Sequence, residues 1–245
     1  MKVRAFRLAI ACLLLTAGGA VASEPESCGV PPQAAVAAPR LADAAARAGR
    51  IRIVALGSSS TAGAGASGPA HAYPARLEER LRRGLPGLSV TVVNRGAGGE
   101  DASHMLARIE AEVIAERPDL VIWQAGANAA LRGMDPERFR AAMLEGLVRL
   151  RRAGIEVVLM DNQRAPRIAA RAGHRVYDGI LAEVAASAGV HLFSRGALMD
   201  ALARRGVPEA VLLSPDGLHH NDRGYDCIAE GLAEALIAGL PPRDP

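Results

Sequence analysis

From Arg50 onward, short unbroken apolar runs alternate with longer stretches in which apolar positions recur every three or four residues. The runs are Ile51–Leu56, Ser89–Val93, Leu120–Gln124, Ile155–Met160 and Val190–Phe193. Unbroken runs of this length predict strands covered on both faces. The stretches Tyr73–Arg83, Asp101–Glu116, Pro136–Arg152, Ala169–Ser187 and Asp222–Ala238 predict helices. Strands alternating with helices predict parallel βαβ units, and so one three-layer α/β/α domain over residues 50–240 with five parallel strands. Residues 23–49 are rich in Ala and Pro and predict a tether, with a short helix at Arg40–Ala48. In such a sheet, ligands bind beyond the carboxyl ends of the strands. The segments just after those ends are where chemistry is to be sought.

The first 22 residues break the pattern and read as a secretory signal. Lys2, Arg4 and Arg7 precede an apolar run from Leu8 to Thr16, and Ala20-Val21-Ala22 forms a cleavage site before Ser23. The run is too short to span a bilayer comfortably, and Cys12 lies inside it without a lipobox. The expected location is therefore periplasmic or secreted, with no membrane segment after cleavage. Processing also changes the charge. The whole chain has 29 basic and 26 acidic residues, and removing Lys2, Arg4 and Arg7 leaves 26 against 26. A balanced mature chain gives no electrostatic case for nucleic acid as a partner. Lys2 is the only lysine, which excludes a P-loop lysine, a Schiff base and a Ser-Lys dyad in the mature protein. Cys28 and Cys227 remain. In an oxidising compartment they are expected to pair, stapling the tether to the last helix; two unlinked thiols are the alternative. No Cys/His spacing suggests zinc, and no cofactor is expected.

Three segments at or soon after strand ends carry side chains suited to acyl transfer. Gly57-Ser58-Ser59-Ser60-Thr61 follows the first strand and offers a hydroxyl nucleophile, or a capped turn. Gln124-Ala125-Gly126-Ala127-Asn128 follows the third and offers an amide donor, or a turn residue. Asp216-Gly217-Leu218-His219-His220 precedes the last helix. There an Asp three residues before a His can orient an imidazole base. A glycine-rich turn, Asn94 to Asp101, follows the second strand. Gly63-Ala64-Gly65-Ala66-Ser67-Gly68 matches a dinucleotide fingerprint, but it starts six residues after Gly57 and runs into Pro69. It is read as a chance match.

Taken in order, these blocks resemble the SGNH hydrolases, also called GDSL esterases and lipases, over roughly residues 50–240. The resemblance implies a flavodoxin-like sheet and serine ester hydrolysis without a cofactor. It implies a triad of Ser59, Asp216 and His219, and an oxyanion hole from the N–H groups of Ser59 and Gly99 and the side-chain amide of Asn128. Asn221, Gly224 and Tyr225 continue the family's pattern after His219. Ser58 stands where the family usually has Asp, and Ala129 where it usually has a second Asp. No G-x-S-x-G surrounds Ser59, so the ordinary α/β-hydrolase fold is not expected. With aromatics at 3% and a small-residue stretch from Ala62 to Ala70, the expected substrate is a short acyl ester, such as an O-acetyl group on a carbohydrate. A lysophospholipase or thioesterase, a non-catalytic carbohydrate-binding relative and a nucleotide binder using the 57–68 loop are the rival readings. Arg164, Arg167 and Arg171 either contact an acidic sugar or form a solvated face.

Overall fold

The computed structural model describes residues 27–241; the signal-peptide reading lies outside them. Five strands form one parallel sheet: β1 (Arg50–Gly57), β2 (Ser89–Gly96), β3 (Leu120–Gln124), β4 (Glu156–Met160) and β5 (His191–Phe193). Their spatial order is β2-β1-β3-β4-β5. The helices are α1 (Pro39–Ala48), α2 (Ser59–Ala62), α3 (Tyr73–Gly84), α4 (Ala102–Glu112), α5 (Ala127–Arg132), α6 (Pro136–Arg152), α7 (Pro166–Ala169), α8 (Arg175–Ala188), α9 (Arg195–Arg204) and α10 (Asp222–Ala238). α3 packs against α10, while α4, α6 and α8 pack in series on one another, giving the three layers. The expected fold class is borne out, and the unbroken apolar runs explain it. Ile53, Val54, Ala55 and Leu56 of β1 and Val121, Ile122 and Trp123 of β3 are inaccessible to solvent because helices cover both faces.

Two predicted helices are shorter than their patterns. The stretch 169–187 is helical only from Arg175, in α8, after the end of α7 and a turn, and 101–116 ends as a helix at Glu112 before a short 3-10 turn. Residues 27–49 lie against the domain. Val30, Val36, Leu41 and Ala45 are buried in the common core, and the Val36 N–H donates to the Ala235 carbonyl of α10. Cys28 is joined to Cys227 of α10 by a disulfide. Among the described residues no helix is long and apolar enough to cross a membrane.

The strand order fixes where a site can form. The chain winds from β1 outward to β2, then returns past β1 to β3. The connections that leave the carboxyl ends of β1 and β3 therefore run to opposite faces of the sheet, opening a crevice between those ends. Register pairs Leu56 with Trp123, so the turns after Gly57 and Gln124 emerge side by side.

Candidate active site

The turn after β1 places Ser59 at the first position of the single-turn helix α2. Ser58 is extended and buried, and Gln124 at the end of β3 holds it. The Gln124 Oε1 accepts from the Ser58 N–H at 3.0 Å, from its Oγ at 3.1 Å and from Thr61 Oγ1 at 3.3 Å. An acidic side chain at position 58 would face that carbonyl oxygen, so a serine donor suits this partner. Ser59 itself is half-buried.

The oxyanion segment is held next to this turn. Ala97 donates its N–H to the Gly57 carbonyl at 3.0 Å. Arg108 of α4 donates to the carbonyls of Gly57 (3.2 Å) and Arg95 (2.8 Å), and to the Glu100 carboxylate (2.7 Å). Asn128, on α5, donates its Nδ2 to the Glu100 carbonyl at 2.7 Å, so it already touches the loop that carries Gly99. Gly126, which starts α5, has φ +108°, and a Cβ there would stand 2.8 Å from Asn162 Oδ1. Only glycine fits both conditions. Ala129 is buried against the core, which leaves no room for a solvated carboxylate. Among the described residues, the N–H groups of Ser59 and Gly99 have no acceptor.

The third segment folds as a tight loop closed by a bridge between Leu213 and His220. Asp216 Oδ1 accepts from Ser214 Oγ (2.7 Å) and from the N–H groups of Leu218 and His219 (both 2.9 Å). Its Oδ2 meets His219 Nδ1 at 2.5 Å, and His219 Nε2 meets Ser59 Oγ at 2.7 Å. With Nδ1 protonated against the carboxylate, Nε2 carries the lone pair that accepts the serine proton. Partial burial pushes the Asp216 pKa up, but the bonds from Ser214, His219 and Leu218 outweigh it, and the net shift is well below the ordinary carboxylate range. The next residue has a different environment. His220 is buried, its Nδ1 donates to the Leu212 carbonyl at 3.1 Å, and burial together with the Arg195 charge lowers its pKa to about 3. It is therefore a neutral part of the loop's support.

The structure thus brings all five sequence-predicted residues, Ser59, Gly99, Asn128, Asp216 and His219, to one crevice at the switch point. Residues that the sequence left unremarked complete it: Gln124, Arg108, Asn162 and Ser214. The glycine repeat 63–68 also has a role there. Gly65 has φ +89°, and a Cβ on it would stand 2.9 Å from the His219 Cβ and 2.5 Å from the His220 carbonyl. Tyr225 of α10 fixes the same loop by donating to the Ala64 carbonyl at 2.6 Å. Among the described residues, no cluster of three or more His, Cys, Asp or Glu is placed to hold a metal ion.

A family model for the Non-GDSL lipase-like family matches residues 27–241. The chain belongs to that family. It is thereby one of the SGNH and GDSL hydrolases, as its motifs implied. An arylesterase from Vibrio mimicus is 27% identical over 168 residues, covering 69% of this chain and 80% of that protein. The thioesterase 1/protease 1/lysophospholipase L1 of Escherichia coli K12 is 27% identical over 186 residues, 74% of this chain and 81% of that protein. Among solved structures, a two-domain esterase active on acetylated mannans superposes with a TM-score of 0.67 at 24% identity. The match covers 79% of this chain and about half, 51%, of that one. An acetylxylan esterase from Geobacillus stearothermophilus gives 0.64 at 20% identity, over 78% and 95% of the two chains. At these identities the structural likenesses establish the fold.

Proposed function

We propose that this family member is an exported serine ester hydrolase acting on short acyl esters, most naturally O-acetyl groups on a carbohydrate. The unbroken hydrogen-bonded chain Ser59–His219–Asp216, facing Gly99 and Asn128, carries the reading. His219 Nε2 takes the Ser59 proton as Oγ attacks the ester carbonyl. Asp216 holds the imidazole in the required tautomer and stabilises the imidazolium that forms. The negative oxygen of the tetrahedral intermediate is received by the N–H groups of Ser59 and Gly99 and by the Asn128 amide. His219 then protonates the leaving alcohol. A water deprotonated by the same nitrogen cleaves the acyl-enzyme and regenerates Ser59.

Two observations support a short acyl group. The stretch from Ala62 to Ala70 that follows the serine is built of small residues and packs at Gly65 against the His219 loop, which favours a small mouth beside the serine. Esterases named for acetylated mannan and acetylated xylan share the fold. The likeness to a thioesterase and lysophospholipase favours long acyl chains as the second reading. Export is supported by the Cys28–Cys227 disulfide, since such bonds persist in oxidising compartments. An acyl series from acetyl to decanoyl on p-nitrophenol, run beside acetate release from acetylated mannan and xylan, separates the two. The expected result is highest kcat/KM at acetyl with acetate released. A steady rise toward decanoyl with no acetate release favours the second reading.

A further inference from the structure

The mature chain is charge-balanced, yet one segment beside the site is not. Residues 164–175, between β4 and α8, hold Arg164, Arg167, Arg171, His174 and Arg175 and no carboxylate. The fold presses this segment against the catalytic-histidine loop. The Arg167 N–H donates to the Gly217 carbonyl at 3.2 Å, and Gln163 Nε2 donates to the Leu218 carbonyl at 2.8 Å. Arg164 is neutralised by Asp178 and Asp200, at 3.2 and 3.1 Å. Arg167, Arg171 and Arg175 are exposed, and none has an ion-pair partner among the described residues.

Another arginine stands beside the oxyanion loop. Arg132 lies one helical turn after Asn128, on the same face of α5. Its Nη2 is 3.4 Å from where a Cβ on Gly99 would be. It is 52% exposed, and its Asp101 partner is distant at 3.6 Å. Exposed cations therefore stand beside both the loop of the general base and the oxyanion loop.

We infer that the alcohol portion of the substrate is anionic: an acylated glycan bearing carboxylates, held by Arg167 beside the His219 loop and by Arg132 beside the oxyanion loop. The inference rests on the reading of Ser59 as the centre of ester hydrolysis and deepens it. Guanidinium groups match carboxylates geometrically, and exposed cations at a crevice mouth raise the encounter rate of an anionic chain. A neutral glycan offers them hydroxyl acceptors but no charge to pair or steer.

The test uses two readouts on the full-length mature protein. The first is the ratio of kcat/KM for 4-carboxyphenyl acetate to that for phenyl acetate, which needs no carbohydrate. The second is binding of de-esterified polygalacturonate to the Ser59→Ala variant, which needs no turnover. In Arg167→Gln and in Arg132→Gln the ratio is expected to fall several-fold each, and in the combined variant about tenfold. Raising NaCl to about 0.5 M should lower the wild-type ratio and weaken polygalacturonate binding together, because exposed charges are screened. Arg152→Gln, at the far end of the sheet, should leave the ratio as in wild type. An arginine-independent ratio, or polygalacturonate binding no tighter than that of a neutral mannan, overturns the inference. A charge-dependent ratio with no acetate released from any acetylated glycan instead sinks the carbohydrate reading and leaves an anionic non-sugar ester.

Discussion

Ser59 and Asn128 are held by bonds that reach far along the chain, whereas Asp216 and His219 are held by bonds within one loop. Gln124 grips the Ser58 turn across 66 residues of sequence, Arg108 grips the end of β1 across 51, and Asn128 grips the oxyanion loop across 28. Those ties are buried or half-buried and run between different strand ends. The bonds on Asp216 come from residues two and three positions away, and its side chain is 39% exposed. The two halves therefore fail differently. The nucleophile half depends on the sheet's registration and loses geometry only if the core shifts. The acid–base half is a local unit whose placement depends on what leans against it: Gly65, the Gln163 and Arg167 donors to the Leu218 and Gly217 carbonyls, and the α10 helix anchored by Tyr225.

The sharpest break removes one reacting group from each half. Ser59→Ala or His219→Ala should lower kcat for p-nitrophenyl acetate on the order of 10³-fold or more, with thermal unfolding near wild type. Because the two act as a unit, the double variant should be little worse than either single one. If His219→Ala keeps turnover while His220→Ala loses it, the assignment of the base is wrong.

Next comes the oxyanion side. Asn128→Ala should lower kcat by roughly 10²–10³ and change KM less, since its bond to a developing negative charge strengthens in the transition state. An unchanged kcat would mean that Asn128 serves only to hold the Glu100 carbonyl.

Removing a long-range tie tests the scaffold rather than the chemistry. Arg108→Leu leaves the Gly57 and Arg95 carbonyls and the Glu100 carboxylate without their shared donor. The expected cost is about 1–3 kcal/mol in denaturant unfolding, as for other polar groups left short of partners, together with a fall in kcat as the Gly99 loop loosens. Equal stability in both proteins would show that water substitutes for the guanidinium.

The same contrast decides what could be read from the sequence. Asp216 and His219 were legible because their relation is local: three residues apart, fixed by one loop. The strands were legible because burial on both faces leaves unbroken apolar runs. Gln124 and Arg108 were not, because nothing near them in sequence says which distant carbonyl or hydroxyl they meet. α9 was missed because it opens with Arg195, a charged residue with no exposure, which reads as surface in any apolar pattern. α2 and α5 are single short turns whose form is set by neighbours. Gly63–Gly68 imitated a nucleotide loop because a close backbone approach requires glycine whether it meets a phosphate or, as at Gly65, a histidine.

The smallest effect is expected in the local loop, at Ser214→Ala. Its Oγ donates to Asp216 Oδ1, and this is one of three bonds on that oxygen, so the other two still orient the carboxylate. The Asp216 pKa, depressed in the folded protein, should rise toward its ordinary value when one donor is lost. A carboxylate with a depressed folded pKa adds stability above its unfolded pKa, near 3.9, and loses it as the pH falls through the folded value. Ser214→Ala should therefore be less stable than wild type at neutral pH. The difference should persist down through the ordinary carboxylate pKa and shrink only at lower pH, as the folded forms protonate at their depressed values. Because the side chain is more than a third exposed, solvent screening keeps the neutral-pH gap under about 1 kcal/mol. The fall in kcat should be only several-fold, since His219 keeps its bond to Oδ2. Chemical denaturation at pH 7 and at about pH 2 measures the first, and p-nitrophenyl acetate turnover the second. A loss of kcat as large as that of Asn128→Ala would show that the acid–base loop has no reserve of local bonds, and the two halves of the site would then be equally rigid.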